Sequence, residues 1–272
     1  MKRLYIIGMM IVALLLPTVT QAADAKTTSE VCWREGISSY EAKNYSEAVK
    51  CFEQIVELGY GSADVYYNLA NSYFKLGETL YKEGGRKFSG GELGRAVLNY
   101  HRALRENPAM EDARYNLELA VDYTNDTEPL PTSFIETLWR GARDVASSNS
   151  WAVGSLVMLG LMLGMVILYL LSSNIMMRKV GFFVALLLFV GFIFTAAFAL
   201  SSRRAFVDDN RAVVVCNDTT PVHASPESES KIIRQPSQGV TLRVLREYGE
   251  WSEILFADGE KGWIRTSKIE EI

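Results

Sequence analysis

Two stretches of 21 residues without a charged side chain, WAVGSLVMLGLMLGMVILYLL (151–171) and VGFFVALLLFVGFIFTAAFAL (180–200), constrain this chain more than any other feature. At the rise of an α-helix each is roughly 31 Å long, the thickness of a bilayer's hydrocarbon core. They predict two membrane-spanning helices. The loop expected between them, 172–179, is too short to be a domain, so the pair forms a hairpin and both flanks lie on one side of the membrane. The first 22 residues indicate which side. Lys2 and Arg3 precede a short apolar core, LYIIGMMIVALLL (4–16), then Pro17 and small residues up to Ala22. This is the layout of a cleavable secretory signal, with an uncleaved anchor as the alternative. Export of residues 23–150 places Arg178 and Lys179 in the cytoplasm, as the positive-inside rule prefers. Arg203 and Arg204 follow the second span on the predicted outer side and run against that rule.

The exported parts are mildly acidic: the net charge is −6 over residues 23–150 and −2 over 201–272. That balance argues against nucleic acid and anionic lipid surfaces as main partners of these parts. Three cysteines, Cys32, Cys51 and Cys216, are too few for a disulfide framework. They read as buried small thiols, with a Cys32–Cys51 pair left open. His101 and His223 have no Cys or His at ligand spacing, so neither a zinc site nor another cofactor is expected. No Ser-His-Asp set and no phosphate-cradling glycine motif is present, and the chain does not read as an enzyme.

Residues 23–130 contain an internal repeat. NYSEAVKCFEQIVEL (44–58) aligns with LGRAVLNYHRALREN (93–107), and YYNLANSYFKLGE (66–78) with RYNLELAVDY (114–123). Ala48 matches Ala96, Phe52 matches Tyr100 and Leu69 matches Leu117, each 48 positions on. A fixed period is the mark of a stacked-repeat architecture. Gly36, Ala48 and Phe52, followed by Leu69, Ala70, Tyr73, Ala96, Tyr100, Ala103 and Pro108, resemble the helix-turn-helix repeat of about 34 residues known as TPR. The first repeat departs from that pattern, with Tyr60 where Pro is typical. The longer period implies 14 inserted residues near TLYKEGGRKFSGGE (79–92), a glycine-marked loop that either touches a partner or is a tolerated insertion. The third repeat keeps only its first helix. TPR arrays bind partners on a concave face, and the resemblance assigns that groove to Trp33, Ile37, Tyr40, Tyr67, Asn71, Phe74, Tyr115 and Leu119. The basic pair that grips a carboxylate in chaperone-tail-binding TPRs is replaced by Asp112 and Asn116.

SFIETLWRGARDVASS, within 131–150, places Phe134, Leu138, Trp139, Ala142, Val145 and Ala146 on one face behind a Ser133/Glu136 capping box. It predicts an amphipathic helix lying on the membrane surface or capping the repeats. In the first span, Gly160-x-x-x-Gly164 offers a close-packing face to another helix.

From 205 to 272 the pattern turns to short strands. AVVVC (212–216), VTLRVL (240–245), EWSEILF (250–256) and KGWIRT (261–266), with Asp258-Gly259 at a turn, predict an all-β barrel. The tail GEWSEILFADGEKGWIRTSKIEEI resembles bacterial SH3-like domains, although His223 and Ser225 stand where that family usually has Arg and Gly. Trp251 and Trp263 are the contact candidates. The whole is a multidomain membrane protein: an all-α TPR repeat, a transmembrane hairpin and an SH3-like barrel. That order, together with NLANSYFKLGE, ARYNLELA and the DG-x-x-GWI tail, resembles the BatE-type proteins of aerotolerance operons. The resemblance implies a two-pass protein of the bacterial inner membrane with both modules in the periplasm. It implies a scaffold whose partners are von Willebrand A domain proteins, BatD-type proteins and a second TPR protein. Peptidoglycan binding through the SH3-like domain is the alternative.

Overall fold

The computed structural model describes residues 25–82, 88, 90–124, 134–207, 210–216 and 220–272, without the side chains of 81, 82, 136, 137 and 207. The expected signal, the side chains of the Ser133/Glu136 box, and residues 83–87 and 89 of the 79–92 insertion lie outside them.

The N-terminal part is a layered stack of five helices: α1 (25–41), α2 (Tyr45–Glu57), α3 (Ala63–Lys82), α4 (Glu92–Glu106) and α5 (Glu111–Val121). From α2 to α5 each helix packs on its sequence neighbour, α2 on α3, α3 on α4 and α4 on α5. Small side chains let the axes approach. Ala48, Ala70, Ala96, Ala103, Ala113 and Ala120 are fully buried, and a Cβ on Gly36 would stand 2.9 Å from the Phe52 ring. The turns have local causes. Lys43, at φ +64°, reverses the chain into α2. The Ser62 hydroxyl accepts from Val65 N–H and caps α3. At the end of α2, Gly59 N–H bonds Val56 O and Tyr60 N–H bonds Ile55 O, with Gly59 at φ +81°. This Schellman arrangement stops the helix without proline, which explains why Tyr60 serves at that position. α4 ends at Asn107, held extended by Pro108.

α6 (Phe134–Arg143) is shorter than the sequence suggests, because the chain turns at 144–146 and Ser147 caps α7 (Ser148–Leu171) by accepting from Ser150 N–H. α7 and α8 (Ile175–Val207) pack along each other and are long and apolar enough to cross a membrane. Gly181 and Gly191 face α7 at their contact, whereas Gly160 and Gly164 have open space where a Cβ would be. The link between the helices is shorter than the expected 172–179: α8 already begins at Ile175, so Arg178 and Lys179 are helical. Asn174 makes this possible, its side chain accepting from Met176 N–H. With 33 residues, α8 is about 50 Å long and outreaches a hydrocarbon core by several turns.

The C-terminal part is one antiparallel sheet of seven short strands in the order β3-β2-β6-β5-β4-β1-β7. The strands are β1 (Arg211–Val214), β2 (Val222–His223), β3 (Ile232–Arg234), β4 (Thr241–Tyr248), β5 (Trp251–Leu255), β6 (Lys261–Arg265) and β7 (Ile269–Glu271). The sheet curls so that Ala212, Val214, Val222, Leu242, Ile254, Ile264 and Ile269 share one core. The Asp258-Gly259 turn forms as expected: Asp258 accepts from Glu260 N–H at 2.9 Å and from Arg234 at 2.6 Å. These bonds hold its carboxyl below the usual range.

The helical stack and the sheet are not separate bodies. Val213, Val215 and Ile272 belong to the helical core, while Ala212, Val214 and Cys216 belong to the sheet core. β1 is thus buried on both faces, and α4 lies directly on it.

Candidate interaction surfaces

Of the groove residues expected from sequence, Trp33, Ile37, Tyr40, Tyr67 and Phe74 are half-buried against the helical core. Trp33 meets the Phe52 ring edge-on at 5.7 Å, and Tyr40 meets Tyr45 at 5.3 Å. Asn71 is the centre of a polar network. Its side-chain oxygen accepts from Tyr100 O–H (2.6 Å) and from Asn116 Nδ2 (2.9 Å), and Asn116 also donates to the Tyr67 hydroxyl (3.3 Å). Two residues of α3 and one each from α4 and α5 are thereby tied together, and burial pushes the Tyr100 phenol well above its ordinary pKa, so it remains a donor. Tyr73 is held likewise between α2 and α3, donating to the Glu53 carboxylate; burial, then that carboxylate, raises its pKa. The work of the Asn116 side chain is thus internal.

Phe74 has a different surrounding. Its ring packs on Phe88 (5.4 Å) and Tyr123 (5.6 Å). Phe88 comes from the insertion, stands at φ +55° and is buried. A Cβ on Gly77 would overlap its ring, so the glycine leaves the slot that Phe88 fills. Phe88 therefore closes this end of the stack. An exposed apolar face lies on α5, with Tyr115 (63% exposed) and Leu119, next to the partly exposed Tyr123.

The two sheet tryptophans share the outward side of β5 and β6. Trp251 is covered, with the His223 ring edge-on at 5.2 Å and the Arg265 guanidinium 5.0 Å above it. His223 in turn sits within hydrogen-bond distance of Ser230 O through Nδ1. Trp263 is half-buried, with Tyr248 edge-on at 6.5 Å and the Arg246 guanidinium at 5.4 Å. Tyr248 is 69% exposed, so this pair presents an open aromatic step.

The three cysteines are buried thiols outside any disulfide. Cys32 donates to the Gln54 side-chain oxygen, and burial pushes the thiols of Cys32 and Cys51 up, away from the nucleophilic thiolate. Among the described residues no group of three His, Cys, Asp or Glu side chains is placed to hold a metal ion.

A third surface, absent from the sequence reading, joins the modules. A Cβ on Gly94 would lie 2.5 Å from Val214 O and 3.0 Å from Val215 Cα, so glycine alone lets α4 touch the β1 backbone. Gly94 N–H donates to the Gln238 side chain, whose amide donates back to Phe88 O. His101 Nε2 lies 3.4 Å from the Thr241 hydroxyl. Arg102 donates to Glu271 O and pairs with Glu270, and Arg105 donates to Ile272 O. Arg105 also stacks on Phe206 at 4.3 Å, with Arg203 5.8 Å from the same ring. The end of α8 is thereby fastened to α4. Two signals for this joint were present in the sequence. One is a glycine inside a helix, where it costs stability unless something approaches closely. The other is the unbroken apolar run AVVVC, which marks a strand covered on both sides rather than one.

Residues 218–270 match the family profile of the bacterial SH3 domain. The C-terminal sheet is therefore an SH3-like module, carried by a chain with two apolar helices and a helical N-terminal stack. No curated protein matches the chain.

Proposed function

We propose that the protein is a non-catalytic scaffold of the bacterial inner membrane, its TPR-type stack and SH3-like sheet both in the periplasm. The observation that carries this reading is the exposed pair Tyr115 and Leu119 on one face of α5, next to Tyr123, whose ring is partly exposed and also packs on Phe74 and Phe88. Exposed aromatic and aliphatic side chains on a rigid support are the usual anchors of protein–protein contacts. Two further features support membrane insertion. The apolar side chains along α7 and α8 are largely exposed, and α6 presents Phe134, Ile135 and Leu138 to the outside while Trp139 packs on Phe198 of α8 at 4.7 Å. An interfacial helix fits that arrangement. The BatE-type resemblance supplies the partner class: von Willebrand A domain, BatD-type and TPR proteins of an aerotolerance-related complex.

Photo-crosslinking from position 115 in native membranes tests the scaffold. A discrete partner adduct is expected, together with its loss on Leu119→Ala in a chain that keeps its thermal midpoint. No adduct from 115, with adducts formed instead from position 37 or 40, would move the contact to the expected groove. A second reading, attachment to peptidoglycan, is favoured by the exposed Tyr248–Trp263 step, because aromatic faces stack on sugar rings. Tyr248→Ala with Trp263→Ala would then abolish co-sedimentation with sacculi and leave the protein adduct intact.

A further inference from the structure

The hairpin turn carries an open, shallow cup of about 370 Å³ lined by Tyr169, Ile175, Arg178, Lys179, Phe182 and Phe183. Its shape depends on Gly181. A Cβ there would stand 3.0 Å from Met165 O and 3.2 Å from Tyr169 N, so the bare glycine lets α8 rest on the α7 backbone at this point. That contact sets the Tyr169 ring 5.3 Å from the Arg178 guanidinium and 6.0 Å from the Phe182 ring, with Phe183 a further 5.5 Å from Phe182. The cup therefore has aromatic walls and two cations.

Among the described residues no ion pair joins either cation to a carboxylate. Residues 145–207 contain no Asp or Glu. The flanking acid Asp144 precedes α7 at the end remote from the turn, about 36 Å away along the helix. Cations next to hydrocarbon are costly unless an anion or water meets them. A planar guanidinium beside an ammonium is the pairing that phosphate oxygens accept, the first through a fork and the second as a point charge. Aromatic and aliphatic walls beside them suit the glycerol and first methylenes of an acyl chain rather than a free, fully hydrated ion.

We infer that this cup binds the phosphate headgroup of an anionic phospholipid, with Arg178 and Lys179 on the phosphate and Phe182 and Phe183 along the acyl chains. The inference rests on the membrane insertion proposed above. It is independent of which protein the α5 strip engages.

The test uses the full chain in phosphatidylcholine nanodiscs doped with phosphatidylglycerol, with retained lipid measured by native mass spectrometry after release. Wild type retains phosphatidylglycerol selectively. Arg178→Gln with Lys179→Gln lowers that retention roughly 30-fold, since each cation near an anionic surface contributes several-fold. The exchange Arg178→Lys with Lys179→Arg keeps most of it, and Arg203→Gln with Arg204→Gln at the far end of α8 leaves it unchanged. Equal retention by the Gln pair and wild type overturns the site, as does equal retention of phosphatidylcholine. Displacement of the lipid by excess inorganic phosphate would assign the cup to free phosphate and overturn the lipid assignment. A chain that does not enter the discs at all overturns membrane insertion itself, which is distinct from insertion without headgroup selectivity.

Discussion

Gly94 shows how one absent side chain governs the relation between two modules. In a helix interior glycine costs up to about 1 kcal/mol relative to alanine. Propensity alone therefore predicts that Gly94→Ala stabilises. The 2.5 Å approach to Val214 O reverses the sign, because the new methyl can fit only if the β1 backbone withdraws. Overpacking of this kind costs about 1–3 kcal/mol. Thermal unfolding of the full chain in detergent should show a lower midpoint for Gly94→Ala. Gly141→Ala in α6, where a Cβ would meet nothing within 4 Å, should leave the midpoint unchanged or raise it. A Gly94→Ala variant as stable as Gly141→Ala would mean that α4 does not touch the strand. Phe88 and Gly77 make the same kind of pair on the other side of the stack, one residue filling the space that the other leaves.

At the scale of elements, β1 is the part on which most depends. It is paired to β4 through Val213–Thr241 and to β7 through Val213–Glu270, so its backbone is occupied at both edges. Its side chains are divided between two cores, odd positions to the helices and even ones to the sheet. The division predicts unequal consequences for neighbouring substitutions. Val213→Asp should loosen the stack from the sheet and speed hydrogen exchange of α4 amides, while β5 and β6 amides keep their protection. Val214→Asp puts the same carboxylate into the sheet core and should remove protection from β5 and β6 as well. Identical exchange patterns for the two variants would contradict the two-sided burial. α8 is the complementary element. It runs unbroken from the turn to Val207, and its Phe206 is gripped by Arg105 of α4, so a shift of this helix is transmitted to the stack and the sheet together.

For the whole molecule, the hairpin places the helical stack and the sheet at the same ends of α7 and α8, and their shared core requires them to be on the same side of any bilayer that the hairpin crosses. Cysteine labelling checks this in a background with the native cysteines replaced. Ser38→Cys and Ser228→Cys, both exposed positions, should react with a membrane-impermeant reagent in spheroplasts, and Ser173→Cys in the turn should not. Opposite labelling of positions 38 and 228 would be incompatible with the joint between the modules. Labelling at 173 with protection at both others would invert the orientation.

Residue order by itself determined the elements. The spacing of Ala48, Phe52, Ala96 and Tyr100 placed the helices and their close seams. The uncharged runs placed α7 and α8, and β-branched runs with Asp258-Gly259 placed the central strands. These follow from local periodicity, which records how much of an element is covered. Tertiary structure alone decided what does the covering. AVVVC was legible as a strand, but its burial on both faces depends on α4, whose residues lie more than a hundred positions away. Tyr67, Asn71 and Phe74 had the spacing of a contact face, yet Asn116, Tyr100 and Phe88 had already met them from other elements. Arg178 and Lys179 were visible as two cations between apolar runs. Their joining of a cup required Asn174 to start α8 early and Gly181 to bring Tyr169 across from α7. Covering is a pairwise property of surfaces, and a one-dimensional pattern contains only one member of each pair.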